Sequence, residues 1–480
     1  MNTQVLTLTQ KSAVQSVKLE ILPHNPPDLL GERILFWTVA LVPLWWILGI
    51  QLIVYPVVGW FLLYCGWRCP RVTPLPLGWY IWWLYALVYF SSTLLNLFLG
   101  VAEIGRSLNA MGAILGIWML FLIVWYAMRR LGVRLQVVVR ALCVVGLCQL
   151  VAVILGQMHV AMTGNLLETQ SLLVQMVPRM PARVFFEAQL YGWDRVSWGE
   201  YTPRLKSFYY WSPLAGTMSI FICMAAWMEQ QLFWRVAGFL GGATTIWFAA
   251  ARAGQIGIIA AVLVTLWFAR GWGRKVILWG SIPVILGAPV LGDLIHHYLF
   301  EYRGDSADGR FALYREAYEA FTQSPWLGYG TYGRSSTLDV PLGSHSQIYS
   351  TLYQTGVIGS CVLVAAWIAI TWMLSQKVLK HESLSPALGA WIGMTLQMPT
   401  GEFSGASVTV FALAALLGCT WNQAEVLTVR ARMSWIPFSP LREPPTPWQA
   451  LHSGWTGTRW RHSIEKENNH ETTILSGCGR

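Results

Sequence analysis

The stretch 108-LNAMGAILGIWMLFLIVWYAMRRLGVR-134 decides what kind of molecule this is. Its apolar part, Leu108 to Met128, is long enough as a helix to cross the roughly 30 Å hydrocarbon layer of a bilayer. It is closed by Arg129, Arg130 and Arg134, the densest basic cluster between apolar segments. Apolar runs of about 20 residues, each long enough to span, recur on both sides of it. Lipid offers no water to backbone groups, so each run must bond its own N–H and C=O groups, and a helical bundle is the form that results.

Composition points the same way. The 480-residue chain is 55% hydrophobic and 12% charged, with a mean hydropathy of +0.47. A soluble domain carries roughly 25% charged residues. The 28 tryptophans often sit near the ends of apolar runs, as interfacial belts require. The net charge of +10 is spread over short links, which the positive-inside rule explains without a nucleic-acid partner. The eight cysteines avoid the two large polar loops, so no disulfide framework is expected, and Cys65 and Cys69 lack neighbours at zinc spacing.

Working outward from residues 108–134, the block Ile34 to Gly66 is too long for one span and divides near Gly49–Gln51. Leu77 to Leu99 is the third span. After the opening stretch come Leu135 to Gln157, Tyr209 to Met228, Phe233 to Ala251, Gly254 to Ala269, Val276 to Ile295, Ser346 to Leu374, Pro386 to Met398 and Val408 to Trp421. Residues 1–33 and 422–480 read as tails, the second poorly ordered. Two large polar loops occupy about 158–208 and 296–344, and the first has no pattern that assigns its fold.

Placing residues 129–134 in the cytoplasm puts the links RCPRVTP, EQQLFWR, ARGWGRK and QKVLKHE there too, with both tails. Both large loops, Arg252 and the PTGEFSG turn (399–405) then fall outside. The expectation is an all-α polytopic bundle of about 12 transmembrane helices over residues 34–421, both ends cytoplasmic, with one outward polar site.

Arg252 lies in AAARAGQIG (249–257), where two apolar helices meet with almost no loop. A guanidinium at a bilayer edge either snorkels to lipid phosphate or acts as a fixed cation for a phosphate-bearing ligand. Arg310 and Tyr314 fall on one face of a helix expected to start at Asp305 or Asp308, with Arg315 as a further cation. The aromatic stripe of that helix reads more readily as packing or interfacial anchoring than as a ligand platform. GYGTYG (328–333) matches GxGxxG but follows no strand, so it reads as a flexible outer loop. His345 directly precedes an apolar helix, whose dipole disfavours its protonation. There it can cap the helix or take a proton from a hydroxyl. Glu402 falls on the same outer face, where it can pair with an arginine. His296, His297 and Asp293 read as interfacial residues and not as metal ligands.

Three features taken together resemble a known family: Arg252 at its helix junction, GRxxxYRxAxxxFxxSPWLGYG over 309–330 and HSxxxxxLYQTGxIG over 345–359. They look like the bacterial O-antigen ligase and polymerase family, over about residues 235–375. The resemblance implies an all-helical bacterial inner-membrane glycosyltransferase whose active site faces the periplasm or exterior. Its donor would be a glycan on undecaprenyl diphosphate, and its acceptor lipid A core, a growing polysaccharide or protein. Arg252 and Arg310 would grip the diphosphate and His345 would activate the acceptor hydroxyl, with inversion and with neither metal nor cofactor. Ser346 stands where the family usually has Asn, and Tyr314 where Trp is common, which leaves the acceptor open. The competing reading is a secondary transporter of a small anion bound by Arg252 and Arg310. Clustering of the charges at one face and the lack of an internal repeat count against it.

Overall fold

The computed structural model describes residues 29–70, 74–167, 169–179, 183–195, 201–269, 271–286, 304–336, 340–403 and 407–434. The chain divides into the units Met1–Val426 and Leu427–Arg480; the site lies in the first. Asp293, His296, His297 and most of both tails lie outside the described residues, as do the side chains of Asp305 and Asp308.

The described helices are α1 (Leu29–Ala40), α2 (Val42–Leu48), α3 (Gln51–Arg68), α4 (Leu77–Phe98), α5 (Ile104–Leu131) and α6 (Leu135–Thr163). After a short α7 (Leu172–Met176) come α8 (Ser212–Met228), α9 (Leu232–Ala249), α10 (Arg252–Phe268) and α11 (Trp272–Leu286). The series closes with α12 (Gly304–Gln323), α13 (Gln347–Lys380), α14 (Ser385–Thr395) and α15 (Ser407–Ser434). Each expected span coincides with a helix over its described residues. By length and composition, α4, α5, α6, α13 and Ser407–Val429 of α15 are able to cross a membrane. The bent pair α1 and α2 makes a sixth candidate, whereas α8 and α10 are apolar but shorter. Among the described residues five helices thus pass alone and the bent pair makes six, which does not reach the expected twelve or so.

The bundle hides polar groups and shows apolar ones, as a lipid solvent requires. Ser92, Thr93, Gln149, Ser350 and Gln354 are buried, while Phe61, Leu155 and Ile368 are exposed. This is a helical membrane protein. Its centre is aromatic: Trp82 of α4 stacks on Phe121 of α5 at 4.3 Å, and Trp367 of α13 on Trp391 of α14 at 4.2 Å. Phe403 inserts among Trp82, Trp118, Phe121 and Trp367 and so seats the 399–403 turn on this core.

The two ends of the bundle differ. At one end, Arg129 donates to Glu425 and to the Pro74 carbonyl, Arg130 to the Gly66 and Cys69 carbonyls, Arg134 to Glu32 and Arg140 to Glu229. Arg129 and Arg130 therefore meet the residues around Cys69 and Pro74, and Glu229 meets the first turns of α6. At the other end, the Gln51 amide donates to the Phe208 carbonyl and Tyr314 donates to the His345 carbonyl.

Two local features depart from the expectation. The loop after α6 carries an antiparallel hairpin, β1 (Tyr191–Arg195) with β2 (Tyr201–Leu205), in which Gly192 pairs with Arg204. An otherwise all-α chain thus has one small sheet. The Gly-rich stretch is also not a flexible outer loop. Residues 325–330 lie as a strap between α4 and a break in α13, where Gly356 takes φ 62° and ψ −161°. Broken helical bonds there are replaced by bonds with the strap: Tyr329 and Gly330 donate to the Tyr353 and Gln354 carbonyls, and Val357 donates back to the Pro325 carbonyl. From α4, Ser92, Thr93 and Asn96 donate to the strap carbonyls of Leu327, Gly330 and Gly328. Backbone groups packed between helices must have their polar partners, and this arrangement supplies them.

Candidate active site

Between the α9–α10 turn, α12 and the start of α13 lies a cavity of about 700 Å³. Its walls are apolar at Ile256, Ile348, Leu352 and Leu396, and aromatic at Phe311, Tyr314 and Tyr349. Three guanidinium-bearing residues line it, Arg204, Arg252 and Arg310, and no carboxylate is among its described lining residues. A cavity that is oily on one side and cationic on the other suits an anion attached to a hydrocarbon.

Each cation is placed by its element. Ala249 ends α9, Ala250 turns the chain in the left-handed region at φ 45°, and Arg252 is the first residue of α10. The positive end of the α10 dipole therefore adds to the Arg252 charge. Arg310 and Tyr314 lie one turn apart on α12 and both face the cavity. Arg315 does not: its side chain is 82% exposed and pairs with Glu319 at 2.8 Å.

His345 sits just before Ser346, whose hydroxyl caps α13 by accepting from the Tyr349 N–H. Its backbone is left-handed, with φ 70°. Two side chains hold that strained shape. Glu402 Oε1 accepts the His345 N–H at 2.9 Å, and the Tyr314 hydroxyl donates to the His345 carbonyl at 2.9 Å. Tyr314 in turn stacks on Tyr349 at 4.7 Å. The imidazole rests on Trp211 at 4.7 Å, and its Nδ1 is buried without a hydrogen-bond partner. Burial, helped by the nearby Arg310 charge, lowers the His345 pKa to about 4. The ring is therefore neutral at physiological pH and able to accept a proton. Glu402 goes the other way: burial raises it to about 7, against hydrogen bonds from the His345 N–H and the Tyr332 hydroxyl.

The structure thus gathers Arg252, Arg310 and Tyr314 around one cavity, with His345 and Glu402 adjoining, and leaves Arg315 outside. Sequence reasoning did not single out Arg204, Trp211, Tyr332 or Tyr349. Tyr349 could have been found, since it lies four residues beyond His345 at the start of an apolar helix. Arg204 gave no such signal among the several charges of the first polar loop. Among the described residues, no group of three or more His, Cys, Asp or Glu side chains is placed to hold a metal ion.

No curated protein sequence matches this chain. Residues 237–364 match the family model described as O-antigen ligase. That segment runs from within α9 to within α13 and contains Arg252, Arg310, Tyr314 and His345. The resemblance read from the motifs holds: over residues 237–364 the chain is similar to the O-antigen ligase family.

Proposed function

We propose that this protein transfers a glycan from undecaprenyl diphosphate to an acceptor hydroxyl on the outer face of the bacterial inner membrane. The observation that carries this reading is the convergence of Arg252 and Arg310 on one apolar-walled cavity beside a neutral histidine. In the reaction, the acceptor oxygen bonds to the anomeric carbon while the carbon–oxygen bond to phosphate breaks. The diphosphate leaves with the electron pair, and the acceptor proton passes to His345. A single displacement inverts the anomeric centre. The leaving group gains a negative charge as it departs, and Arg252 and Arg310 offset it without a metal. Apolar walls accept the first isoprene units, and position rather than covalent catalysis supplies most of the rate.

The membrane arrangement that goes with this reading counts α3, α8, α9, α10, α11 and α14 with the longer helices and the bent pair, giving about twelve crossings. Both tails and the paired basic links lie in the cytoplasm, and the cavity opens outward. Arg252 and Arg310 gather at one end of the bundle and fall within the family match, which favours this reading over a small-anion transporter.

Incubation of the purified protein with a lipid-linked glycan and a candidate acceptor tests the activity directly. Release of undecaprenyl diphosphate coupled to acceptor glycosylation is expected. Vesicle uptake of a small anion with no transfer would overturn the assignment. In a deletion strain, loss of all long chains on the lipid anchor identifies a ligase; single repeat units left on that anchor identify a polymerase.

A further inference from the structure

The α9–α10 turn has an electrostatic conflict built into it. The negative end of the α9 dipole and the positive end of the α10 dipole meet within three residues. Unsatisfied α9 carbonyls at the cavity edge would oppose an anion that Arg252 attracts. Arg204 removes that opposition. Its Nε donates to the Ala249 carbonyl at 2.6 Å, and its Nη2 reaches the Ala250 carbonyl at 3.4 Å, while the residue itself lines the cavity. The same two bonds help hold Ala250 in its left-handed conformation, which is strained for a residue with a Cβ.

Arg204 is itself well fixed. It lies on β2, paired to Gly192 of β1, and its neighbour Leu205 is fully buried. Tyr191 at the start of β1 is buried as well, and its hydroxyl accepts from the Gln157 amide on α6 at 3.1 Å. The hairpin is therefore tied to the bundle, and the Arg204 guanidinium ends on the carbonyls just before Arg252.

We infer that Arg204 is a positioning residue for the donor site: it caps the carbonyl end of α9 and thereby fixes the direction and the field of Arg252. The hairpin, outside the matched segment 237–364, thus becomes part of the site. This rests on the proposed diphosphate-binding role of the cavity.

The test measures binding of undecaprenyl diphosphate to the full-length protein in nanodiscs of phosphatidylethanolamine and phosphatidylglycerol. Arg204→Ala is expected to weaken binding about tenfold, the scale of one lost charge-assisted hydrogen bond. Arg204→Lys, which keeps a donor to one carbonyl, should fall between. Because Arg204 acts through Arg252, the loss should shrink to less than about twofold in an Arg252→Lys background, where coupled sites stop adding. Wild-type affinity in Arg204→Ala, or the same loss in both backgrounds, overturns the inference; the latter would make Arg204 an independent contact. If Arg204→Ala does not yield folded protein, Arg204→Lys carries the same cycle. Failure of the wild type to bind the lipid would instead remove the diphosphate reading, and this inference with it.

Discussion

A guanidinium at the first residue of a helix adds to the positive end of that helix's dipole, and at Arg252 both point into a cavity that Arg310 enters from another element. Replacing either arginine by alanine should cut transfer at least about a hundredfold, since each removes a charge matched to the leaving group, while the protein still inserts and folds. Arg315→Ala serves as the control from the same helix. Its exposed pair with Glu319 is worth little, and transfer should stay within about twofold of wild type. His345→Ala should cost about 10²–10⁴-fold, the range of a lost general base. Near-normal turnover would remove that role. Glu402 adds a pH dependence whose sign is fixed. Its carboxyl rises on folding from an ordinary 4.5 to about 7, so its contribution to stability is full below about 4.5 and is lost as pH climbs through 7. His345 falls from 6.5 to about 4, so its contribution is full above 6.5 and is lost as pH drops through 4. Melting temperature followed from pH 5 to 8 should therefore carry a downward component with rising pH that Glu402→Gln abolishes. An unchanged slope in that variant would refute the assignment. Arg252, Arg310, Tyr314 and His345 were legible in the sequence because each stands at the edge of an apolar run or repeats at helical spacing. Arg204 was not, because its meaning lies in two carbonyls 45 and 46 positions away.

Helices are the elements the sequence states most clearly, since an apolar run in lipid has one way to satisfy its backbone. The break in α13 is different. LYQTGVIG continues an apolar, helix-compatible pattern, and nothing within it announces that carbonyls of Tyr353 and Gln354 will be taken by a strap some 24 residues earlier. The hairpin was equally hidden: its two strands have five residues each, carry charges and Pro203, and show no clean alternation. The strap ties the motif 309–330 to the helix that follows His345, so its fit decides how Arg310 and His345 stand to each other. Gly330 is one place where that fit is tight. Its φ is 68°, and a Cβ there would lie 2.5 Å from the Thr93 Cα and 2.6 Å from its backbone nitrogen. Gly330→Ala should therefore lower stability by about 1–2 kcal/mol from the left-handed backbone alone, with the clash adding to it. Thermal unfolding in detergent measures this, and a wild-type melting temperature would show that the strap is not held as described.

At the scale of the whole molecule, the two ends of the bundle do different physical work. One end matches its cations internally: Arg134 with Glu32, Arg140 with Glu229, and Arg129 with Glu425. The other gathers Arg204, Arg252 and Arg310 on a cavity whose described lining has no carboxylate. Helix polarity links the two, because each pass of the chain alternates between them. The basic links at one end are the ones that the positive-inside rule keeps in the cytoplasm. The proposed arrangement predicts that the cavity opens on the opposite face, where a lipid-linked glycan would meet an acceptor outside the cell. The prediction is testable without any assay of transfer. Alkaline phosphatase fused after Asn165 or after Gly401 should be active, since it folds only outside the cytoplasm. Green fluorescent protein fused after Gly132 or after His381 should fluoresce, since it matures on the inner side. The reverse pattern would turn the molecule over and place Arg252, Arg310 and His345 in the cytoplasm, out of reach of an external acceptor. A mixed pattern, with residues 165 and 401 on different sides, would mean that one of the shorter apolar helices between them does not cross, and the count of about twelve would fall with it.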